Sequence, residues 1–430
     1  MGKIFSFFVL LLFSAQLTQA QTKAAKGLQT ASPEAGGLSA ERLKRLDTML
    51  TGWVERGRTN GAVALIIRNG KIVYHKAFGY NDEGKKTPIH TDDIYRIASQ
   101  TKAITSVAAM MLYEEGKFLL DDPVSRYIPE FAKPQVLDKF NPADSSYTTV
   151  PAKSEITIRQ LLTHTSGLGY AQIGSRESNA IYAKADLTAG FGASMQHLLA
   201  TDIKKLAKLP LMHQPGEKFT YGLNTDVLGY LVELLSGMTL EQFFRTRIFD
   251  PLGMKDTYFN VPAAKQNRVV SVFTQNNGQL QKVQQSFKQN GDFMVDYPKT
   301  GVNYFSGGAG LSSTALDYAT FLQMLLNGGE YNGRRLLARN TVRLMTMNQI
   351  GDIDFGANKF GLGFGITTEK GSGIIPTPAG VFEWGGAFST TYWADPKEKL
   401  IGILYRQHWG VNHPDAADKY KVLVYSAIND

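Results

Sequence analysis

Ser99 and Lys102 stand three residues apart in Ile97-Ala98-Ser99-Gln100-Thr101-Lys102, a spacing that puts a hydroxyl and an amine on one helix face within a single turn. A serine hydroxyl is a weak nucleophile until a neighbouring base takes its proton, and this amine is within reach of it. The inward pattern of Ala103, Val107, Met110 and Met111, with Gly116 as the stop, predicts a helix over 101–115. Ser99 falls at its start, where orphan N–H groups and the positive end of the dipole favour negative charge. Ser99 fits a plain helix cap as well. No other serine in the chain has a lysine three residues on.

Two further segments carry groups of the kind a serine nucleophile needs. Pro215-Gly216-Glu217-Lys218-Phe219-Thr220-Tyr221-Gly222-Leu223 presents a tyrosine just before a helix predicted over 226–236, either as a phenol at a pocket rim or as an aromatic anchor in the core. Trp384-Gly385-Gly386-Ala387 leads into a predicted hairpin. Its glycines allow a substrate or oxyanion close to main-chain N–H groups, or simply a bulge at a strand start. The chain has no cysteine, which excludes disulfides, thiolate zinc sites and a cysteine nucleophile. Its seven histidines show no metal-ligand spacing, so neither metal nor cofactor is expected.

The elements that must position these groups are legible at both ends of the chain. Ser39 caps a helix whose Leu43, Leu46, Leu50 and Trp53 repeat at helical spacing. Ala62 to Ile67 and Ile72 to Phe78 flank Asn69-Gly70, the strongest hairpin signal in the sequence. Near the other end Thr390 to Trp393 and Leu400 to Tyr405 flank a polar turn, and an amphipathic helix is expected over 416–428. Between them the patterns are mostly helical, at 101–115, 157–162, 226–236, 240–249 and 315–326, with the Gln-rich 275–290 expected as a loop or surface excursion. Hairpins at both ends with helices between them imply an α+β fold, an antiparallel sheet built from both chain ends and flanked by helices.

With 43% hydrophobic and 20% charged residues, the composition is that of a globular protein. The net charge of +8 is spread along the chain; the short run Lys204, Lys205 and Lys208 reads as a solvated helix face, and no nucleic-acid partner is expected. Residues 1–20 carry the marks of a cleavable signal peptide: Lys3, the apolar run Ile4 to Phe13, and Thr18-Gln19-Ala20 before the cut. That run is about half the ~20 residues needed to span a bilayer, and no later stretch is long and apolar enough. The expectation is a periplasmic or secreted protein, with 21–37 as a flexible tether and 38–430 as the catalytic module. Within the module, 38–98 and 300–430 form an α/β part and 99–299 a mainly helical part.

Taken in order, Ser99-x-x-Lys102, Tyr221 and Trp384-Gly-Gly before a terminal hairpin resemble the serine β-lactamase and penicillin-binding-protein superfamily. Leu161-Leu162-Thr163-His164-Thr165-Ser166-Gly167-Leu168, Asp250-Pro251-Leu252-Gly253-Met254 and Gly307-Gly308-Ala309-Gly310-Leu311-Ser312-Ser313-Thr314 support the likeness, which covers nearly everything from Leu38 onward. The chain departs from the β-lactamases at two points. Trp384 replaces the lysine of their Lys-Thr-Gly, and Leu223 stands where class C enzymes have the Asn of Tyr-x-Asn, with Asn224 one place late. Both departures are similar to the family VIII carboxylesterases.

That resemblance implies an exported serine hydrolase of short-chain carboxylic esters. Ser99 is the nucleophile, Lys102 and Tyr221 share proton transfer, and the N–H groups of Ser99 and Ala387 form the oxyanion hole. Trp384, Gly385, Gly386 and Leu223 line the substrate site. An unperturbed Lys or Tyr titrates near ~10, so one of the pair must be shifted to act at neutral pH, and the sequence leaves open which. His164 is expected to be structural. The alternatives are a β-lactamase or D,D-peptidase, a non-catalytic penicillin-binding sensor, and transfer of the acyl group to another acceptor. Two literal motif matches are set aside. Lys299-Thr300-Gly301 lies ahead of a loop and helix instead of on a hairpin strand, and Tyr258-Phe259-Asn260 follows the Pro251-Leu252-Gly253-Met254 element.

Overall fold

Strand Gly61–Arg68 is buried along its whole length, although its residues alternate between two faces. Ala62, Ala64 and Ile66 join one hydrophobic cluster, while Val63, Leu65 and Ile67 join another. The strand therefore lies in the middle of three layers. The computed structural model describes residues 27–187, 197–284, 287–288, 292–410, 413 and 415–430; the signal segment expected over 1–20 lies outside them.

The central sheet has eight strands: β1 (Gln29–Thr30), β2 (Gly61–Arg68), β3 (Lys71–Gly79), β4 (Lys359–Phe360), β5 (Gly365–Ile366), β6 (Phe382–Gly386), β7 (Thr390–Asp395) and β8 (Leu400–Tyr405). Their order is β1-β3-β2-β8-β7-β6-β5-β4. The two ends of the chain meet where β8 runs antiparallel to β2, from Leu400 opposite Arg68 to Tyr405 opposite Val63. The expected sheet from both chain ends is thus present.

One face carries helices α1 (Ala40–Glu55) and α5 (Asp415–Ser426). Ser39 caps α1 by accepting from the Arg42 N–H, and Leu43, Leu46, Leu50 and Trp53 pack with Ala416, Tyr420 and Val424 against the sheet. Each leucine so buried contributes about 1.5–3 kcal/mol. The other face carries α2 (Thr101–Glu114), α3 (Asn224–Ser236) and α4 (Ala315–Leu326). Helix α2 is buried on all sides from Thr101 to Leu112, including the polar stripe of Thr101, Lys102, Thr105 and Ser106 in its first turns.

Three stretches differ from expectation. Residues 27–37 are part of the fold instead of a tether: Gln29 and Thr30 pair parallel with Lys71 and Ile72, and the Leu28 N–H donates to the Tyr331 hydroxyl at 2.8 Å. This pairing covers the start of the β3 edge, at Lys71 and Ile72, where N–H and C=O groups would otherwise be unpaired, and it makes the sheet mixed. Within 275–290, Phe273–Asn276 and Gln279–Lys282 form a small hairpin turning at Asn277 and Gly278, both at positive φ. A second unforeseen hairpin, Gln135–Phe140 with Tyr147–Pro151, projects from the helical region.

Candidate active site

Ser99 sits in a tight turn, Ala98–Gln100, that runs directly into α2. Ala98 just before it has φ 43°, a left-handed conformation that costs a residue with a Cβ roughly 1 kcal/mol or more and persists only when the surroundings enforce it. They do so from several directions. Tyr318 donates its hydroxyl to the Gln100 carbonyl at 2.9 Å, Tyr405 donates to Gln100 Oε1 at 2.8 Å, and the Leu311 N–H donates to Thr101 Oγ1 at 3.1 Å. The turn is thereby fixed to α4, β8 and the loop before Ser312, with Ser99 itself half-buried.

One turn along α2, Lys102 is 2% exposed and its ammonium donates to the Tyr170 hydroxyl and the Gly308 carbonyl, both at 2.8 Å. Its nitrogen also lies 4.6 Å from the centre of the Tyr221 ring, over its face. The Tyr221 hydroxyl in turn accepts from Trp384 Nε1 at 3.2 Å. Lys102, Tyr221 and Trp384 come from a central helix, the loop before α3 and strand β6, so the three segments singled out in the sequence converge. Gly386 shows how β6 gets so near the Ala98–Gln100 turn. A Cβ there would lie 2.3 Å from the Ile97 carbonyl oxygen and 2.2 Å from Thr390 Oγ1, so the approach requires glycine. Beyond it, Ala387 is exposed in the turn that the Ser389 N–H closes on the Gly386 carbonyl at 2.9 Å, while Gly385 remains half-buried on β6.

Leu223 departs from the expected arrangement. Instead of lining the substrate site it is 2% exposed in the main core, its N–H bonded to the Gly169 carbonyl at 3.0 Å. Asn224, one place late for a Tyr-x-Asn motif, points inward: it donates to His164 Nδ1 at 3.0 Å and accepts from the Ser166 hydroxyl. His164 is buried, and its ring centre lies 4.8 Å from that of Tyr221. Burial, reinforced by the Lys102 charge, holds its pKa well below the usual range. It is a neutral platform behind the phenol, consistent with a structural role.

Tyr170 was not singled out from the sequence, yet its hydroxyl receives the Lys102 hydrogen bond and its ring lies 5.3 Å from that of Tyr221. Burial pushes its phenol well above the usual range, with Tyr221 and Asp226 adding to the effect. It stays a neutral acceptor. The signal was its place two residues past the Leu161 to Leu168 block. The rejected matches stay elsewhere: Lys299 is exposed and paired with Asp296 at 3.8 Å, and Asn260 bonds the Val302 main chain.

A sheet closed by both chain ends, with a serine, lysine and tyrosine converging between it and a helical region, defines the serine β-lactamase-like class of α+β proteins. The chain belongs to the Beta-lactamase family, whose model matches residues 46–427, and it is a hydrolase of that superfamily. It is 35% identical to Protein Rv1367c of Mycobacterium tuberculosis over 377 residues, which cover 84% of this chain and 89% of the relative. It is 29% identical to the esterase EstB of Burkholderia gladioli over 390 residues, 86% of this chain and 92% of EstB. Among solved structures it is similar to EstCE1, a hydrolase with promiscuous acyltransferase activity, at a TM-score of 0.76 and 25% identity, covering 90% of this chain and 98% of that one. No described helix is long and apolar enough to cross a membrane.

Proposed function

We propose that the protein is an exported serine carboxylesterase acting on short-chain, uncharged esters. The observation that carries this reading is the Trp384 indole bonded to the Tyr221 hydroxyl, at the position where β-lactamases and D,D-peptidases place a lysine for the substrate carboxylate. An indole offers an apolar face and one donor but no positive charge, so it suits neutral acyl or alcohol groups. The likeness to EstB and EstCE1 supports the same chemistry.

In this reaction Ser99 Oγ bonds to the ester carbonyl carbon, and its proton passes to Tyr221 Oη, which acts as a phenolate beside the Lys102 ammonium. Negative charge on the carbonyl oxygen is held by the N–H groups of Ser99 and Ala387. The carbon to alcohol-oxygen bond then breaks as Tyr221 returns the proton to the departing alcohol. Water adds to the acyl-enzyme and releases the carboxylic acid, restoring Ser99. Export rests on residues 1–20 and is checked by finding Gln21 as the N-terminus of protein recovered from the periplasm or medium. The activity is tested with p-nitrophenyl butyrate and benzylpenicillin side by side. A higher kcat/KM for the ester is expected; preference for penicillin would replace the esterase by a β-lactamase.

A further inference from the structure

Asp226 takes no part in that scheme, although it and the Lys102 amine both meet Gly308. It stands in the first turn of α3 and is 0% exposed. Its Oδ1 accepts from the Ser306 hydroxyl at 2.7 Å and the Tyr304 hydroxyl at 3.4 Å. Its Oδ2 faces the main chain of Gly308, where a Cβ would lie only 2.4 Å away and whose N–H helps to hold the carboxylate. Gly308 is also the residue whose carbonyl holds Lys102. A buried carboxylate is costly to keep unless a cation shares its surroundings. Lys102 on α2 is the cation whose charge reaches it. The other titratable groups facing it are Tyr170, from the segment after Gly169, and Tyr304, from the loop before Leu311; burial pushes both phenols well above their usual range.

We propose that Asp226 is a positioning residue, anchored by Ser306 and Tyr304, whose negative charge fixes the Lys102 ammonium between Tyr170 and Gly308 beside Ser99 and Tyr221. This rests on the Ser99, Lys102 and Tyr221 assignment of the proposed function and not on its preference for esters. Acylation of Ser99 then develops negative charge next to a cation already held in place, at no cost of reorganisation during the step.

Burial pushes the Asp226 carboxyl up to about 6, against the pull of the Ser306 hydroxyl and the Lys102 charge. Above that pH the carboxylate is charged and the arrangement complete; below it the charge is lost. Asp226→Asn reproduces the protonated form at nearly the same shape. Neither His164, held neutral, nor Tyr170 and Tyr304, held protonated, changes charge between pH 5 and 8. Asp317, also pushed up to about 6 by burial, bonds the Asp256 N–H and Thr257 instead and titrates in both proteins.

The experiment measures the rate at which a fluorophosphonate labels Ser99 between pH 5 and 8, together with the melting temperature. Wild-type labelling is expected to rise about 10- to 100-fold through pH 6, and Asp226→Asn to lack that rise and stay at the low level. The raised carboxyl pKa means that the charged form destabilises the fold at neutral pH, and the amide has no such penalty. Because its amide oxygen still accepts from Ser306 and Tyr304, the variant should remain folded at pH 7.5 and lose labelling without unfolding, which a purely structural residue would not do. Ser306→Ala, which loosens the anchor and keeps the charge, should label roughly 3- to 10-fold more slowly. Wild-type rates and pH dependence in Asp226→Asn overturn the proposal. If that variant unfolds, unchanged labelling in Ser306→Ala overturns it instead. Labelling of Ser99 without ester turnover refutes only the esterase reading, whereas no labelling of wild-type Ser99 removes the proposal along with the nucleophile.

Discussion

The two faces of the central sheet are built from the same strands and hold opposite kinds of interior. Behind the sheet, Leu43, Leu46, Leu50 and Trp53 meet Ala62, Ala64, Ile66 and Leu404 in an apolar layer, and Tyr420 bonds its hydroxyl to the Leu65 carbonyl at 3.2 Å. In front, the neighbouring residues on those strands pack toward a helix that buries Gln100, Thr101, Lys102 and Thr105. There a left-handed Ala98, a buried ammonium and a buried carboxylate persist at once. The first layer shows how the fold is stabilised. The second is where strain and buried charge accumulate, and it needs the first to tolerate them.

The sharpest way to break this contrast is to remove single atoms from the front. Ser99→Ala should abolish fluorophosphonate labelling and ester turnover together; peptide mapping that finds the adduct on another serine overturns the site. Tyr221→Phe keeps the ring tilted against His164 and deletes only the hydroxyl that meets Trp384. It should lower kcat ~10²- to 10⁴-fold, the usual worth of a positioned acid or base, with an unchanged melting temperature. Near-normal turnover would refute the proton-transfer role of that phenol. Behind the sheet the pattern should invert. Leu46, 0% exposed, when cut to Ala should cost about 2–5 kcal/mol of stability by denaturant titration. At temperatures where that variant stays folded, its kcat should match wild type, and a large drop would mean that the two layers are coupled through the sheet.

What could be read from the sequence divides along the same line. The back layer was legible because burial against one neighbour leaves a period: Leu43, Leu46, Leu50 and Trp53 on α1, and alternation around Asn69-Gly70. The hairpin of Gln135–Phe140 and Tyr147–Pro151 was not, because its second strand is exposed throughout and leaves no apolar alternation to detect. In the front layer it was motif order that pointed to Ser99, Lys102, Tyr221 and Trp384. Tyr170 and Asp226 carry no local signature, since their meaning comes from Lys102 reaching across about seventy residues to one and Ser306 across eighty to the other. Leu223 was misassigned because position within a motif says nothing about which way a side chain turns, and Leu223, just before α3, turns into the core.

The smallest expected effect lies at the boundary between the two readings of the site, where Trp384 stands in place of a cation. Its Nε1–H donates to Tyr221 while its ring packs with Phe360, centres 5.3 Å apart. The indole therefore both holds the phenol and presents a neutral wall. Trp384→Lys would lose this packing and expose an ammonium to the substrate, so total activity should fall. The ratio is the informative quantity. A charge-assisted bond to a substrate carboxylate is worth roughly 1.5–3 kcal/mol, which is about ten- to a hundred-fold in discrimination. The kcat/KM for a chromogenic cephalosporin relative to p-nitrophenyl butyrate should rise by about that factor in the variant. If the ratio does not move, the charge at this position does not set the choice between ester and β-lactam, and the preference has to be sought in the shape of the aromatic wall that Trp384 shares with Phe355 and Phe360.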